Sequence, residues 1–285
     1  MPNVLDLRRR IRSVKNTQQI TRAMKMIAAA RLRRAQQRAL QARPYSREMG
    51  RLLSSLASRT EDRSHPLLHT RPVHTVLLVL VTADRGLAGA FNANLIRAGQ
   101  RYVREHSGVE IQMIAAGRKG RDFFRRRGVK LAGEHVNMFQ RRVELAHAQK
   151  IAAEVVDLYS AQTVDAVDMI YNEFKSLFAP SLVVKRLLPV ETGKPEPNEP
   201  PVDYIYEQPP AEIFAHLLPR YVESEIYGAL VESQAAEFAA KMTAMDTATN
   251  NATELIASLT LHLNRVRQAA ITREIIEIVG GAAAV

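Results

Sequence analysis

Two glycine-containing stretches have residue types that are typical of phosphate-binding loops. TADRGLAGAFN, residues 82–92, follows an apolar run, and its Asp84, Gly86 and Gly89 predict a tight turn that leads into a helix. The N-terminus of such a helix attracts anions. Neither this stretch nor AAGRKGRD, residues 115–122, has the glycine spacing of a dinucleotide-binding fingerprint or a P-loop. We therefore interpret residues 82–92 as a structural strand-to-helix turn, with a nucleotide-binding enzyme as the weaker alternative.

The remaining candidate residues do not form a convincing catalytic or metal site. His65 and His69 flank Pro66 in a predicted loop and lack the glutamate that a zinc hydrolase motif requires. Glu274 and Glu277 are one helical turn apart, but a solvated face or an interchain salt bridge explains them better than a carboxylate pair. The absence of cysteine excludes disulfides, thiolate nucleophiles and cysteine-based metal sites. We expect no catalytic residue, metal or cofactor in this chain.

Charge is distributed unevenly along the 285 residues, whose formal net charge is +11. Residues 1–58 carry 14 Lys or Arg against two acidic residues, whereas residues 203–285 carry five against 11. This asymmetry predicts either a polyanion-binding arm or two chain ends that lie against each other. The apolar run Val76–Val81 is far shorter than the roughly 20 residues of a membrane-spanning helix, so we predict no such helix.

Two windows almost free of glycine and proline predict very long helices. Residues 3–43 contain neither, and residues 220–279 contain only Gly228. Apolar positions recur in both windows in steps of three and four, which is the spacing of a coiled coil. In the first window they are Val4, Leu7, Ile11, Val14, Ile20, Met24 and Ile27; in the last they are Leu230, Gln234, Phe238, Met245, Leu255, Leu259, His262, Val266 and Ala269. Two amphipathic helices packed on a common core remain the alternative.

The central part of the chain has the pattern of an α/β domain. Short β-rich runs alternate with helical stretches, which predicts a mainly parallel, helix-flanked sheet. The five predicted strands are residues 73–83, 110–116, 129–136, 165–174 and 181–190. The connection before the last strand is too short for a crossover helix, so that strand should be an antiparallel edge. We predict an N-terminal helix in 1–58, an α/β domain with a proline-rich linker in 59–202, and a C-terminal helix in 203–285.

The N-terminal window carries a row of basic residues that could lie along phosphates. They are Arg8, Arg9, Arg10, Arg12, Lys15, Arg22, Lys25, Arg31, Arg33, Arg34 and Arg38. The chain has no tryptophan and its first tyrosine is Tyr45, so this arm has no stacking platform for bases. A charged collar that faces protein partners is the preferred interpretation, and a nucleic-acid-binding coiled-coil protein is the alternative.

Three stretches closely resemble the gamma subunit of the F-type ATP synthase. They are SVKNTQQITRAMKMIAAARLRRAQ (13–36), TADRGLAGAFN (82–92) and RQAAITREIIEIVGGAAAV (267–285). The resemblance implies an antiparallel coiled coil of the two terminal helices, which forms the central rotor stalk inside a ring of alpha and beta subunits, and a Rossmann-like five-stranded domain. That domain would lie against the epsilon subunit and the membrane-embedded c-ring. The gamma subunit is not catalytic, since nucleotide and magnesium bind on partner subunits, and it couples ATP synthesis or hydrolysis to proton transport.

The resemblance also implies contact residues and a location. Met24, Lys25, Gln268 and Thr272 match positions where the stalk meets the beta subunits, and Tyr204, Tyr206 and Glu207 match the side that faces the c-ring and epsilon. An apolar tip should turn inside a sleeve of partner subunits; it comprises Ile278, Val279, Gly280, Gly281, Ala282, Ala283, Ala284 and Val285. The expected location is the cytoplasmic side of a bacterial inner membrane, as a peripheral protein, with no nucleic-acid partner.

Overall fold

The computed structural model describes residues 4–59, 65–140, 142–176, 180–190 and 209–282. A mixed α/β sheet domain lies between two long helices in the sequence. In chain order the main elements are α1 (Val4–Arg59), β1 (Thr75–Val81), α2 (Phe91–Glu105), β2 (Glu110–Ala116), α3 (Arg118–Arg125), β3 (Lys130–His135), α4 (Leu145–Ser160), β4 (Ala166–Phe174), β5 (Pro180–Leu188) and α5 (Pro210–Ala282). Short 3₁₀ helices span Pro66–Leu68 and Met138–Gln140. No helix among these residues is both long enough and apolar enough to span a membrane.

The five strands form one sheet in the order β3-β2-β1-β4-β5. The first four strands are parallel, with Val76 opposite Ile111 on one side and Ala166 on the other. β5 runs antiparallel to β4, with Ile170 opposite Val184. Both the strand positions and the antiparallel edge confirm the predictions, because a short connection cannot return the chain for a parallel pairing.

Helices cover both faces of the sheet, and β1 is consequently buried on both sides. Val76, Leu78 and Leu80 pack with residues of α2 and α3 on one face. Leu77, Val79 and Val81 pack on the other face with α4 and with parts of α1 and α5. This explains the uninterrupted apolar run of β1, since neither face of the strand is exposed to water.

By internal contacts the chain divides into two compact units. One consists of Met1–Ala29 with Lys241–Val285, and the other is Ala30–Ala240. This division cuts both long helices and does not follow the boundaries at 58/59 and 202/203, which remain predictions.

Within the unit that contains both chain ends, α1 and α5 form an antiparallel pair. Three polar contacts join them, and the residue number on α5 falls as the number on α1 rises. The pairs are Gln18 Nε2 with Thr253 Oγ1 at 2.7 Å, Thr21 Oγ1 with Thr249 Oγ1 at 2.8 Å, and Lys25 Nζ with Asp246 Oδ1 at 2.6 Å. The predicted antiparallel arrangement is thereby confirmed for these residues.

The contact stripe of this pair recurs every 3.5 residues, as in a coiled coil. On α1 its buried or half-buried positions are Val4, Leu7, Ile11, Val14, Gln18, Thr21, Lys25 and Ala28. On α5 they are Met245, Thr249, Ala252, Ile256, Leu259, Leu263 and Val266. Polar residues therefore take part in the stripe without changing its spacing.

Part of the predicted apolar stripe is wrong. Ile20 and Ile27 are 59% and 54% exposed, and Leu255, His262 and Ala269 are exposed as well. The physical reason is that Gln18 and Thr21 occupy seam positions, where hydrogen bonds across the pair satisfy their polar groups. A stripe assigned from apolar residues alone shifts out of register at this point.

In the unit Ala30–Ala240, residues 231–239 of α5 are buried on every side. This segment includes the carboxylate of Glu232, which is only 6% exposed as a residue. Glu232 accepts hydrogen bonds from Arg43 Nε at 2.7 Å and from the Phe174 backbone N–H at 2.9 Å. The buried charge is therefore paired and hydrogen-bonded, as a buried carboxylate must be.

Candidate functional site

The C-terminal end of α5 is a helix without a partner in the described part of the chain. Val266 is its last half-buried residue, and every residue from 267 to 280 is exposed. Several large apolar side chains lie in this region. The exposed fractions are 48% for Ile271, 55% for Ile275, 64% for Ile276, 72% for Ile278 and 62% for Val279. A helix with so much exposed apolar surface points to an interaction surface.

The apolar side chains of this end cover a wide arc of the helix. At about 100° per residue, Ile271, Ile275 and Ile278 share one face, and Val279 and then Ile276 extend it on one side. Arg273 and Glu277 fall on the remaining side, Glu274 borders the apolar face next to Ile271 and Ile278, and no charged residue follows Glu277. The end of α5 therefore suits an apolar environment that surrounds the helix more completely towards its tip.

The predicted beta-contact residues fall into two separate groups. Met24 and Lys25 are half-buried in the helix pair, and the Lys25 ammonium group is paired with Asp246. Gln268 and Thr272 are exposed, and the Thr272 hydroxyl donates to the Gln268 backbone carbonyl at 2.9 Å. Because Gln268 follows Asp246 by 22 residues, the two groups are about 33 Å apart along α5. A contact role for either group stays a prediction.

Several predicted site residues lie at the end of α5 or outside the described residues. Ile278, Val279 and Gly280 are exposed, and Gly281 and Ala282 form the end of α5. The other predicted residues lie outside the described residues, as does the proline-rich linker 194–201. They are Ala283, Ala284, Val285, Tyr204, Tyr206 and Glu207.

The carboxylate of Asp84 occupies the turn at the carboxyl end of β1. Asp84 is 5% exposed, and its Oδ1 accepts from the backbone N–H groups of Arg118 at 3.1 Å and Asn137 at 2.8 Å. Its Oδ2 accepts from the Phe139 N–H at 3.0 Å. Backbone amides at this edge of an α/β sheet would ordinarily bind a ligand anion. Here these three amides bind the chain's own carboxylate, which supports the structural interpretation of residues 82–92.

Gly117 and Gly120 also have a structural role. A Cβ atom on Gly117 would lie 2.0 Å from the carbonyl oxygen of Thr82, and one on Gly120 would lie 2.9 Å from Thr82 Oγ1. The Gly120 N–H donates to Thr82 Oγ1 at 2.9 Å. The glycines of residues 115–122 thus allow α3 to pack against the end of β1, and their N–H groups do not form a phosphate cradle.

Other titratable side chains have structural partners as well. The hydroxyl of Tyr102 donates to the buried carboxylate of Asp168, which also pairs with Arg186, and burial raises the pKa of Tyr102. His65 Nδ1 accepts from the Leu67 N–H at 3.2 Å, and burial lowers the pKa of His65. The described residues include no group of three or more His, Asp or Glu placed to bind a metal.

Sequence reasoning missed the polar layers between α1 and α5. The predicted stripe leaves out Gln18 and Thr21, and Lys25 is predicted only as a basic and beta-contact residue, but each of the three is bonded to a residue of α5. Their spacing of three and four residues, which continues the series of Val4 to Val14, was the available signal. The basic residues of α1 from Arg8 to Arg38 are exposed apart from Lys25 and Arg38, which are half-buried.

Comparisons with known proteins agree with this architecture. The family model described as ATP synthase matches residues 3–285. The ATP synthase gamma chain of Solibacter usitatus is 52% identical over 288 residues, covering 100% of this chain and 99% of the relative. The gamma chain of Pelotomaculum thermopropionicum is 47% identical, with coverage of 100% and 99%.

Solved structures share the fold. A Tetrahymena thermophila mitochondrial ATP synthase structure, described as central stalk and c-ring, has a TM-score of 0.61 at 25% identity, covering 80% of this chain and 99% of the other. A chain of the Euglena gracilis mitochondrial ATP synthase has a TM-score of 0.68 at 19% identity, with coverage of 99% and 94%. The family match over nearly the whole sequence and the full-length relatives show that this chain belongs to the ATP synthase gamma family.

Proposed function

We propose that this chain is the central shaft of an F-type ATP synthase, which carries rotation of the c-ring to the catalytic beta subunits. The observation that carries the proposal is the apolar end of α5, which has no partner among the residues that the structure describes. An exposed arc of Ile271, Ile275 and Ile278 is unfavourable in water but suits an apolar sleeve. Alpha and beta subunits arranged around the tip would supply that sleeve.

A tip of this composition suits rotation. Residues 278–285 have no charged or hydrogen-bonding side chain, so no charge has to be desolvated and no directional bond has to be broken at each step. The helix pair below the tip is joined by direct polar contacts at Gln18, Thr21 and Lys25, which resist sliding of one helix along the other. The pair can therefore transmit force to the surrounding subunits.

The chain is a non-catalytic subunit of the complex. ATP and magnesium bind on the partner subunits, and Asp84 fills the edge of this chain's own sheet where a nucleotide would otherwise bind. Asymmetric contacts of the shaft with the beta subunits would favour a different conformation in each of them, which is coupling through differential contacts.

We assign the contacts with partner subunits as follows. Met24, Lys25, Gln268 and Thr272 lie where the shaft faces the beta subunits, and the tip from Ile278 to Val285 lies in the sleeve. Tyr204, Tyr206 and Glu207 face the c-ring and the epsilon subunit. ATP synthase is a membrane-associated complex, and we place this chain on the cytoplasmic side of a bacterial inner membrane, held there by its partners.

The test is MgATP hydrolysis by the alpha and beta subunits of the same organism, purified with and without this chain. We expect no hydrolysis by the chain alone, and a stable complex with sustained turnover when all three are combined. A chain that neither joins the complex nor changes its rate would overturn the proposal. Tight binding of duplex DNA at physiological salt would instead support the nucleic-acid alternative, which no structural observation favours.

A further inference from the structure

A strongly basic segment lies on one side of the sheet domain. Residues 118–130, which we call the basic segment, comprise α3, the turn after it and the first residue of β3. They contain seven Lys or Arg and one acidic residue, a formal charge of +6, whereas the whole chain carries +11. The basic residues are Arg118, Lys119, Arg121, Arg125, Arg126, Arg127 and Lys130.

Only some of these cations are neutralised within the chain. Arg121 pairs with Asp122 at 2.6 Å, Arg125 pairs with Glu134, and Lys130 pairs with Glu110 at 3.2 Å. Four others are exposed and have no carboxylate within ion-pair distance in the described ranges of the chain. These four are Arg118, Lys119, Arg126 and Arg127. Arg118 donates instead to the amide oxygen of Asn137, at 2.6 Å.

Arg127 is held in a defined orientation. Its guanidinium carbon lies 3.9 Å from the centre of the Phe123 ring, in a cation–π contact. Gly128, with a φ of 74°, turns the chain directly after it. Stacking on Phe123 covers one face of the guanidinium group and leaves its N–H edges available, which is the geometry for a two-point contact with a carboxylate.

Among the three shorter helices, the excess of basic charge lies on one face of the sheet. α2, which packs on the same face as α3, exposes Arg97 and Arg104 without carboxylate partners among the described residues. α4, on the opposite face, carries only Lys150 against Glu154 and Asp157. A surface that only needed solubility would not require such segregation, because interspersed charges provide it.

We propose that the basic segment docks on a carboxylate-rich surface of another subunit that rotates together with this chain. The inference rests on the proposed function, since it takes the chain to be part of a rotor. We take the partner to be a co-rotating subunit because its ion pairs would stay formed through each turn, whereas contacts with stationary beta subunits, such as the one assigned to Lys25, have to re-form. An acidic protein surface fits better than a bilayer because, between residues 91 and 130, no large apolar side chain is exposed for insertion.

The first test is zero-length cross-linking of the assembled complex with a carbodiimide, which joins a lysine amine to a carboxylate in direct contact. Lys119 should be linked to an Asp or Glu of another subunit. Lys150, an exposed lysine on α4, is the matched control and should give little product. Equal labelling of Lys119 and Lys150 would overturn the inference.

The second test compares Arg127→Glu with Lys150→Glu, which change the net charge equally. Arg127→Glu should lower the Lys119 cross-link about fivefold or more, the effect of reversing one charge in an exposed ion pair. Arg127→Lys keeps the charge but loses the planar group, so it should have an intermediate effect. Reductions of equal size in Arg127→Glu and Lys150→Glu would contradict a specific surface.

These outcomes separate the inference from the proposed function. If the complex hydrolyses MgATP normally but shows no Lys119 cross-link, the proposed shaft function stands and the docking surface is contradicted. Failure of the wild-type chain to join the complex would remove both. A further experiment adds vesicles that contain 30% phosphatidylglycerol. Binding of the complex to these vesicles that depends on the basic segment, with no Lys119 cross-link to a protein, would also overturn the inference.

Discussion

The ammonium group of Lys25 lies 2.6 Å from Oδ1 of Asp246, and this ion pair joins α1 to α5 near the end of their antiparallel contact in the unit that contains both chain ends. The two side chains are 40% and 46% exposed, so solvent screens the pair strongly. Its contribution to stability should be under about 1 kcal/mol. Breaking the pair therefore costs little, which is compatible with the contact with a beta subunit that we propose for Lys25.

A charge swap distinguishes the two roles of Lys25. In the double variant Lys25→Asp with Asp246→Lys, the ion pair is retained but the cation moves to the other helix. If Lys25 acts only inside the helix pair, MgATP hydrolysis by the complex should fall in Lys25→Asp and recover in the double variant. If Lys25 contacts a beta subunit, the double variant should stay impaired. Asp246→Asn is the control, because it removes the pair and leaves Lys25 in place.

The polar layer at Thr21 and Thr249 should specify register more than stability. Replacing both threonines by valine removes the two hydroxyls that bond to each other, so neither is left without its partner. We expect the free energy of unfolding of Thr21→Val with Thr249→Val to change by less than about 1 kcal/mol. The register should become less unique, because polar seam residues penalise slipped pairings.

Spin labels on Asn16 and Glu254, which are exposed positions near this layer, report the register. The distance distribution between them should be broader in the double valine variant than in the wild-type chain. Ile20→Val, at an exposed position outside the stripe, is the control and should leave the distribution unchanged. An unchanged distribution in the double variant would show that the apolar positions alone set the register.

Asp84 should be important for stability and irrelevant to nucleotide affinity. Asp84→Ala leaves the N–H groups of Arg118, Asn137 and Phe139 without their acceptor in a largely buried place. We expect a loss of about 3 kcal/mol or more in stability, seen as faster hydrogen exchange at the Asn137 and Phe139 amides. Asp84→Asn retains one acceptor oxygen and should lose less. Tight MgATP binding by the wild-type chain alone, abolished in Asp84→Asn, would contradict the structural role.

The sheet domain could be predicted from sequence because its signals are local. Val76–Val81 is apolar at every position, as a strand buried on both faces must be, and the short connection after Phe174 determines the direction of β5. The register of the helix pair could not be predicted in the same way. It depends on contacts between residues more than 200 positions apart, such as Gln18 with Thr253, and on polar groups that an apolar pattern ignores.

The apolar composition of the α5 tip could be predicted from sequence, but the exposure of its side chains could not. The absence of charge after Glu277 is visible in the sequence. The pairing of α1 with α5 places Val266 near the beginning of α1. Only this pairing shows that α5 continues beyond Val266 without a partner among the described residues. A local pattern indicates that a surface is apolar, whereas only the fold shows that the chain itself leaves it uncovered.

Shortening the tip should weaken coupling without preventing assembly. Deletion of Gly280–Val285 removes mainly small residues and one larger apolar side chain, Val285, which is worth about 2 kcal/mol at most when buried. The exposed arc of Ile271, Ile275 and Ile278 remains to fill the sleeve. The truncated chain should therefore still form a complex that hydrolyses MgATP, with a modest fall in ATP synthesis per proton transported.

Ile278→Asp in the full-length chain is the complementary variant for this tip. It retains every residue of the tip but places a carboxylate in the proposed apolar sleeve, where an unpaired charge costs several kcal/mol, on the order of 3 or more. It should therefore impair assembly and turnover more than the deletion does, whereas Glu277→Asp, on the charged side of the helix, should have little effect. If the deletion prevented assembly while Ile278→Asp was tolerated, the tip would be needed for contacts other than an apolar sleeve. The order of the three variants thus tests the chemistry of the surroundings of α5 directly.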